Sequence, residues 1–382
     1  MSKKKVRFAV IGCGLMGKEF ASAVSRWCHL LDTEAEPQIV AVCDANLAAA
    51  EWFTSHFPSI RHVTKDYREL LSLAEIDAIY CAVPHHLHAE LYTAIIRAGK
   101  HLLGEKPFGI DRVANVQVLE AISERPDLVV RCSSEMPFFP GGLKVYDFVR
   151  KGNVGKVIEV EAGFLHSSDL NPQKPINWKR RIATNGEYGC MGDLGMHVLH
   201  LPLRLGWKPR NVRAILSNLV EQRPEADDSL VPCETWDNAT LLCEVKADSH
   251  VFPMSLSMKR IAPGHNNTWF IRVLGMEGSV EFSTKNPKEW RSMLYRPGGE
   301  QAWCTEDLPY ASAYPTITGP IFEFGFSDAI LQMWAAFCDE VVNGPNMRQP
   351  FTCATPQEAA FTHQLFSAAL ESHRKGVIVN LE

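Results

Sequence analysis

The stretch Val6-Arg7-Phe8-Ala9-Val10-Ile11-Gly12-Cys13-Gly14-Leu15-Met16-Gly17 decides the fold. Its first half is a short apolar run and reads as a strand over 6–11, followed by a helical pattern over 16–31. The turn joining them is G-x-G-x-x-G. In such a turn the first glycine allows the tight bend, the second lets backbone approach a pyrophosphate, and the third allows close helix–strand packing. The helix N-terminus then faces the phosphates. Glycine turns of this kind also occur for purely structural reasons, so the context decides. Here a strand precedes, a helix follows, and Asp44 ends the next strand, over 38–43. A carboxylate in that place accepts hydrogen bonds from an adenosine ribose diol. It also repels a 2′-phosphate, and Ala45-Asn46-Leu47 offers no cation to offset it. The expected cofactor is NAD, held by Gly12, Gly14, Leu15, Met16, Gly17 and Asp44.

Outward from this turn the alternation continues. Helices are expected over 47–57, 67–72, 87–98 and 113–123, and strands over 78–83 and 101–103. Strand–helix alternation with such connections predicts a doubly wound parallel sheet. After residue 128 the grammar changes. A strand over 129–133, a helix over 142–150 and a long strand over 157–166 lead to a helix over 193–205. Strand-like runs follow at 212–219, 239–245, 254–258, 269–274, 279–283 and 292–295, and then helices at 328–342 and 356–374. This predicts a second sheet, mixed and mostly antiparallel. Residues 221–231 and 305–319 read as exposed loops. The fold class is therefore α/β plus α+β: an N-terminal Rossmann domain over 1–128 and a substrate and oligomerisation domain over 129–355. A C-terminal helix and tail, 356–382, is expected to pack back on the first domain.

Composition agrees with this organisation. A chain of 382 residues suggests two or three domains. It is 46% hydrophobic and 22% charged, the balance of a globular chain that buries large cores without disulfides or metals. Net charge is −5, from 39 basic and 44 acidic residues, which gives no general attraction to nucleic acid or acidic lipid. No apolar run approaches the roughly 18 residues of a membrane span. Lys3-Lys4-Lys5 before an apolar run imitates a signal peptide, but the run is short, contains glycine and lacks a small-residue cleavage site. The eleven cysteines form no C-x-x-C pair, so free thiols and a reducing cytoplasmic setting are expected.

Further motifs follow: Cys81-Ala82-Val83-Pro84-His85-His86-Leu87-His88, Ala98-Gly99-Lys100-His101, Gly104-Glu105-Lys106-Pro107 and Gly192-Asp193-Leu194-Gly195-Met196-His197. Together with the glycine turn and the C-terminal helix ending Leu370-Glu371-Ser372, they resemble the Gfo/Idh/MocA family (glucose–fructose oxidoreductase, inositol dehydrogenase, rhizopine catabolism) over most of the chain. The resemblance implies an active site between a Rossmann domain and an open sheet. It also implies oligomers, dimers or tetramers, formed through the outer face of that sheet. Carried over by position, Lys106, Asp193 and His197 are catalytic, and Pro84, His85, His88 and Glu105 line the cofactor. Residue chemistry agrees in part. Asp193 and His197 are spaced i,i+4 and share a helix face. A histidine can take a hydroxyl proton, and a lysine ammonium can stabilise an alkoxide. The alternative reading of His197 is a satisfied core histidine on a Leu-rich helix.

Three positions depart from the family pattern. His200 stands where an aspartate is common, which creates Asp193-x-x-x-His197-x-x-His200 on one helical face. No metal is expected there, because a cofactor already supplies the chemistry. Glu135 replaces the usual Asn, and contacts a sugar hydroxyl or the nicotinamide edge or only caps local backbone. His85 replaces another Asn. Trp178-Lys179-Arg180-Arg181 offers an aromatic face for a sugar ring and cations for an anionic substituent. The bland reading of that turn is a solvated basic segment pairing with acids such as Glu187. The expected substrate contacts are Glu135, Trp178, Lys179, Arg180 and His200.

The leading expectation is an NAD-dependent oxidoreductase taking hydride from a secondary hydroxyl of a sugar, glycoside or polyol. The alternative is an NAD-dependent glycoside hydrolase. That enzyme works by transient ring oxidation, elimination, water addition and re-reduction, on an acidic or sulfonated glycoside. A non-catalytic NAD-binding protein would lack Lys106 or His197, and both are present.

Overall fold

The computed structural model describes residues 3–247, 250–319, 321–349 and 351–381. The chain divides into two compact units, one of residues 1–138 with 310–360 and one of residues 139–309 with 361–382.

In the first unit six strands form a parallel sheet: β1 (Lys4–Ile11), β2 (Ala35–Cys43), β3 (His62–Thr64), β4 (Ala78–Cys81), β5 (His101–Gly104) and β6 (Val130–Cys132). Their order, β3-β2-β1-β4-β5-β6, reverses direction between β1 and β4. Near-continuous burial along β1, β2 and β4 reflects a parallel sheet covered on both faces. β3 has no counterpart in the sequence reading. It is a three-residue edge strand with one buried side chain, too short to show periodicity. The helix expected over 16–31 ends at Ser25 and gives way to a 3-10 turn, Trp27–His29, with buried Trp27 donating from Nε1 to Ala35 O at 2.9 Å.

The domain boundaries differ from those expected. The segment that returns to the first unit is 310–360, whereas 361–382 belongs to the second. The reason is aromatic packing. Helix Phe326–Asn343 is buried from Ala329 to Glu340. Its Trp334 packs on Phe20, tilted by 36° with 3.6 Å between ring centroids, and meets Phe8 at 5.2 Å and Tyr80 at 5.3 Å. Arg131 on β6 donates from Nε to Glu340 at 2.9 Å, and Cys132 N reaches Ala354 O at the same distance.

The second unit holds β7 (Val157–Leu165), β8 (Pro209–Ser217), β9 (Gln222–Pro224), β10 (Leu230–Pro232), β11 (Asn238–Ala247), β12 (His250–Lys259), β13 (Thr268–Gly275), β14 (Gly278–Ser283), β15 (Glu289–Leu294), β16 (Cys304–Asp307) and β17 (Val379–Asn380). Nine of them form one sheet in the order β16-β15-β14-β13-β7-β12-β11-β8-β17. The β7–β12 pair is parallel and its other neighbours run antiparallel, the mixed sheet expected. The segment read as a loop over 221–231 carries the hairpin β9–β10, and the next such segment begins within β16. β16 is exposed along its length, so no apolar alternation marks it.

On the inner face of the sheet lies helix Cys190–Arg204, buried from its first residue to Leu203. The C-terminal helix Pro356–Lys375 meets it where a Cβ on Gly195 would stand 2.2 Å from the Phe366 ring. Ser372 Oγ on the same helix accepts from Ala214 N of β8 at 3.0 Å. Among the described residues no helix is long and apolar enough to cross a membrane.

Trp334→Ala removes the centre of the aromatic cluster in the first unit. It is expected to cost about 3–5 kcal/mol, read as a lower denaturation midpoint. A loss under 1 kcal/mol would show that helix Phe326–Asn343 contributes little to that core.

Candidate active site

The glycine turn sits where the parallel sheet reverses direction. Gly12 has φ +97°, and a Cβ there would lie 2.2 Å from Ala82 O, so backbone from the ends of β1 and β4 passes at contact distance. A Cβ on Gly17 would lie 2.2 Å from Gly12 O. Gly14 is different, because a Cβ there would meet no atom within 4 Å. Two glycines are thus demanded by packing, and the middle one borders open space. It is also the N-cap of helix Leu15–Ser25, whose first turn has neither a side-chain cap nor an acidic residue. An uncapped helix start beside open backbone suits a pyrophosphate. Leu15 is exposed and Met16 half-buried beside it. Burial, with Asp44 nearby, pushes the Cys13 thiol up to about 12, so it is inert in this turn.

Asp44 anchors the turn from the next strand. Its Oδ2 accepts from Cys13 N at 2.7 Å and its Oδ1 from Asn46 N at 2.8 Å. A carboxylate accepts about four hydrogen bonds, so capacity remains for a ribose diol. These residues fit NAD.

The Glu105-Lys106-Pro107 loop is supported by buried side chains of the same unit. Tyr92 donates to Glu105 O at 2.7 Å, Tyr80 to Glu105 Oε1 at 2.7 Å, and Asn115 Nδ2 to Phe108 O at 2.7 Å. Gly104 permits this, since a Cβ there would stand 2.6 Å from the Tyr92 ring. His88, expected along the cofactor, is fully buried instead. Its Nδ1 lies 2.6 Å from Pro107 O, its Nε2 2.9 Å from Val83 O, and its ring stacks on Tyr92. Burial pushes its pKa down to about 4. A neutral ring has one N–H, so it donates to one of these two carbonyls. Pro84 and Lys106 are half-exposed, whereas His85 and Glu105 are buried. Glu135 is buried as well, and desolvation with Glu105 nearby raises its carboxyl to about 7.

In the second unit, Asp193 and His197 lie one turn apart on helix Cys190–Arg204, both buried. His197 meets Phe164 of β7 edge-on at 5.4 Å, and its carbonyl accepts from Trp269 Nε1 at 2.9 Å. Asp193 Oδ1 accepts from Lys179 Nζ at 2.9 Å, and Oδ2 from Arg260. Two of the expected substrate contacts, His200 and Arg180, are buried. His200 is fully buried with Nε2 3.2 Å from Arg204, because its helix position faces the core. Arg180 is 1% exposed and paired with Asp169 and with Asp237. Trp178 and Lys179 remain half-exposed. The acids on the basic turn also differ from the one expected: Arg181 meets Glu225, while Glu187 pairs with Arg374.

Sequence reasoning missed Arg260, Asp169 as its partner, and the tyrosines behind Glu105. The available signal for Arg260 was a cation closing the alternation of β12, Met254-Ser255-Leu256-Ser257-Met258-Lys259-Arg260. No group of His, Cys, Asp and Glu able to hold a metal occurs among the described residues.

Asp44→Ala removes both the ribose acceptor and the anchor of the turn. Hydrogen bonds to charged groups contribute about 1.5–3 kcal/mol, so NADH affinity is expected to fall roughly tenfold or more, measured by fluorescence titration. Unchanged affinity would remove Asp44 from the cofactor site.

Two sequence models match the chain. One describes an oxidoreductase family with an NAD-binding Rossmann fold and covers residues 6–132; the other describes the GFO/IDH/MocA C-terminal domain and covers residues 143–281. Levoglucosan dehydrogenase of Pseudarthrobacter phenanthrenivorans is 24% identical over 299 residues, 75% of each chain. Inositol 2-dehydrogenase of Rhizobium meliloti is 26% identical over 285 residues, 74% of this chain and 77% of the relative. Among solved structures, levoglucosan dehydrogenase in complex with NADH and L-sorbose superposes with a TM-score of 0.87 at 21% identity, covering 100% of both chains. The open glycine cradle at the sheet reversal thus has a family counterpart, and the match runs on through the mixed sheet. The chain belongs to the Gfo/Idh/MocA family of oxidoreductases, with an NAD-binding Rossmann domain.

Proposed function

We propose that the protein takes hydride from a secondary hydroxyl of a neutral sugar, glycoside or polyol. The observation that carries this reading is the buried Asp193–His197 pair, on a mostly apolar helix that also buries His200, in a chain whose Rossmann unit holds a dinucleotide cradle. Bound NAD supplies the hydride acceptor. His197 accepts the hydroxyl proton. Asp193, held between Lys179 and Arg260, lies one helical turn from His197. The half-exposed Trp178 ring, with Lys179 Nζ 5.6 Å from its centroid, offers a flat surface to the apolar face of a sugar. The cations of this turn are matched by Asp193, Asp169, Asp237 and Glu225, which favours a neutral substrate over the acidic glycoside considered from sequence. Similarity to dehydrogenases named for levoglucosan and inositol supports net oxidation over glycoside cleavage.

Purified protein with NAD should form NADH from a member of a panel containing levoglucosan, inositol, free sugars and nitrophenyl glycosides. His197→Ala should lower kcat about 100-fold or more while NADH affinity stays unchanged. NAD-dependent aglycone release without net NADH would replace this reading with the hydrolytic one. Full turnover by the alanine variant would remove His197 from the chemistry.

The outer face of the nine-stranded sheet supports homo-oligomer formation. By strand alternation Ile215, Leu242 and Val251 face outward and are exposed, with Phe270 half-buried on the same face. Sedimentation should show a dimer or tetramer that Leu242→Arg dissociates; a monomeric wild-type protein would exclude this assembly.

A further inference from the structure

The motif that carries Asp193 and His197 does not call for Arg260, yet Arg260 bridges two buried carboxylates. Its Nη1 donates to Asp193 Oδ2 and its Nε to Asp169 Oδ2 at 2.7 Å. Lys179 Nζ holds the other oxygen of Asp193 at 2.9 Å. Asp169 is matched further by Arg180, and by Lys174 at 3.0 Å, while Arg180 reaches Asp237 at 2.5 Å. Lys174, Lys179, Arg180 and Arg260 thus face Asp169, Asp193 and Asp237, one more cation than carboxylates. Cys190, on the helix of Asp193, lies within the field of Arg260, Asp237 and Arg180. His166 packs on Phe164, which in turn packs on His197. Buried Arg223, which donates to Asp169 O at 2.6 Å, adds a further cation to this cluster.

A lone carboxylate one helical turn from an imidazole favours the imidazolium. An imidazolium has no lone pair with which to take a hydroxyl proton. The two cations on Asp193 oppose that outcome, and the geometry also holds the carboxylate in one orientation.

We propose that Arg260 and Lys179 are positioning residues for the reaction centre: together they fix the Asp193 carboxylate and offset its charge, so that His197 stays in its neutral, proton-accepting form. This rests on the reading above, that His197 takes the proton.

The test is an NMR titration of the His197 ring in the full chain carrying labelled histidine, assigned with His197→Gln, with and without NADH. Arg260→Gln and Lys179→Met should each move the His197 midpoint to higher pH by about one unit. Arg260→Lys should restore it. Thermal melting identifies a variant that fails to fold. If Arg260→Gln does, the half-exposed Lys179→Met carries the test alone. A midpoint that does not move overturns the proposal, as does a ring that stays neutral across the accessible range in every variant. A raised KM for Lys179→Met with an unmoved midpoint would make Lys179 a substrate contact only, and would overturn it too. If the midpoint moves but His197→Ala keeps full turnover, the coupling stands and the proton-acceptor reading fails, so the two failures are distinguishable.

Discussion

Asp169 is the buried charge around which the second unit is arranged. Its side chain is 1% exposed, and an isolated carboxylate there would be prohibitively costly to desolvate. Arg180, Arg260 and Lys174 converge on its oxygens, while Arg223 donates to its carbonyl at 2.6 Å. Together they hold the carboxyl far below the ordinary carboxylate range despite its burial. This ionic junction joins the loop after β7, the turn at Trp178–Arg180 and the end of β12. Removing one partner from such a network leaves a charge uncompensated, which destabilises far more than the pair stabilises. The position of Asp193 follows from it, because Arg260 reaches Asp193 from the same guanidinium that serves Asp169.

The first unit is governed by close approach of backbone. Gly12 and Gly17 are fixed by atoms 2.2 Å from where a Cβ would stand, whereas Gly14 borders open space. The same economy recurs at Gly104, where the missing side chain lets Tyr92 hold Glu105 O. With His88 on Pro107 O and Asn115 on Phe108 O, the carbonyls flanking Lys106 are held by buried side chains. Lys106 therefore projects from a loop whose backbone is held on both sides.

The basic turn shows how charge in sequence misleads about function. Consecutive cations after a tryptophan read naturally as an anion site. In the fold, Arg180 is a core residue paired with buried acids, and Lys179 is a partner of Asp193. His200 is a second example. Its i,i+3 spacing from His197 puts it near the same helical stripe, and in the fold it is buried with Nε2 3.2 Å from Arg204.

Much of the fold was determined by the sequence alone. The glycine turn, Asp44, the strand–helix alternation and the change of grammar after residue 128 are local patterns, and local backbone preference with hydrophobic period sets them. Asp193 and His197 were singled out by the family resemblance; their i,i+4 spacing agrees with it, but alone it fits core residues of a Leu-rich helix equally well. Tertiary structure decided what depends on residues distant in the chain. Trp334 completes the aromatic core around Phe8 and Phe20, which draws residues 310–360 to the first unit and leaves the last helix to the second. Arg260 reaches Asp193 across 67 positions, and His88 reaches Pro107 across 19. Which cation matches which buried acid is settled by desolvation and packing, and these exist only once the chain has folded.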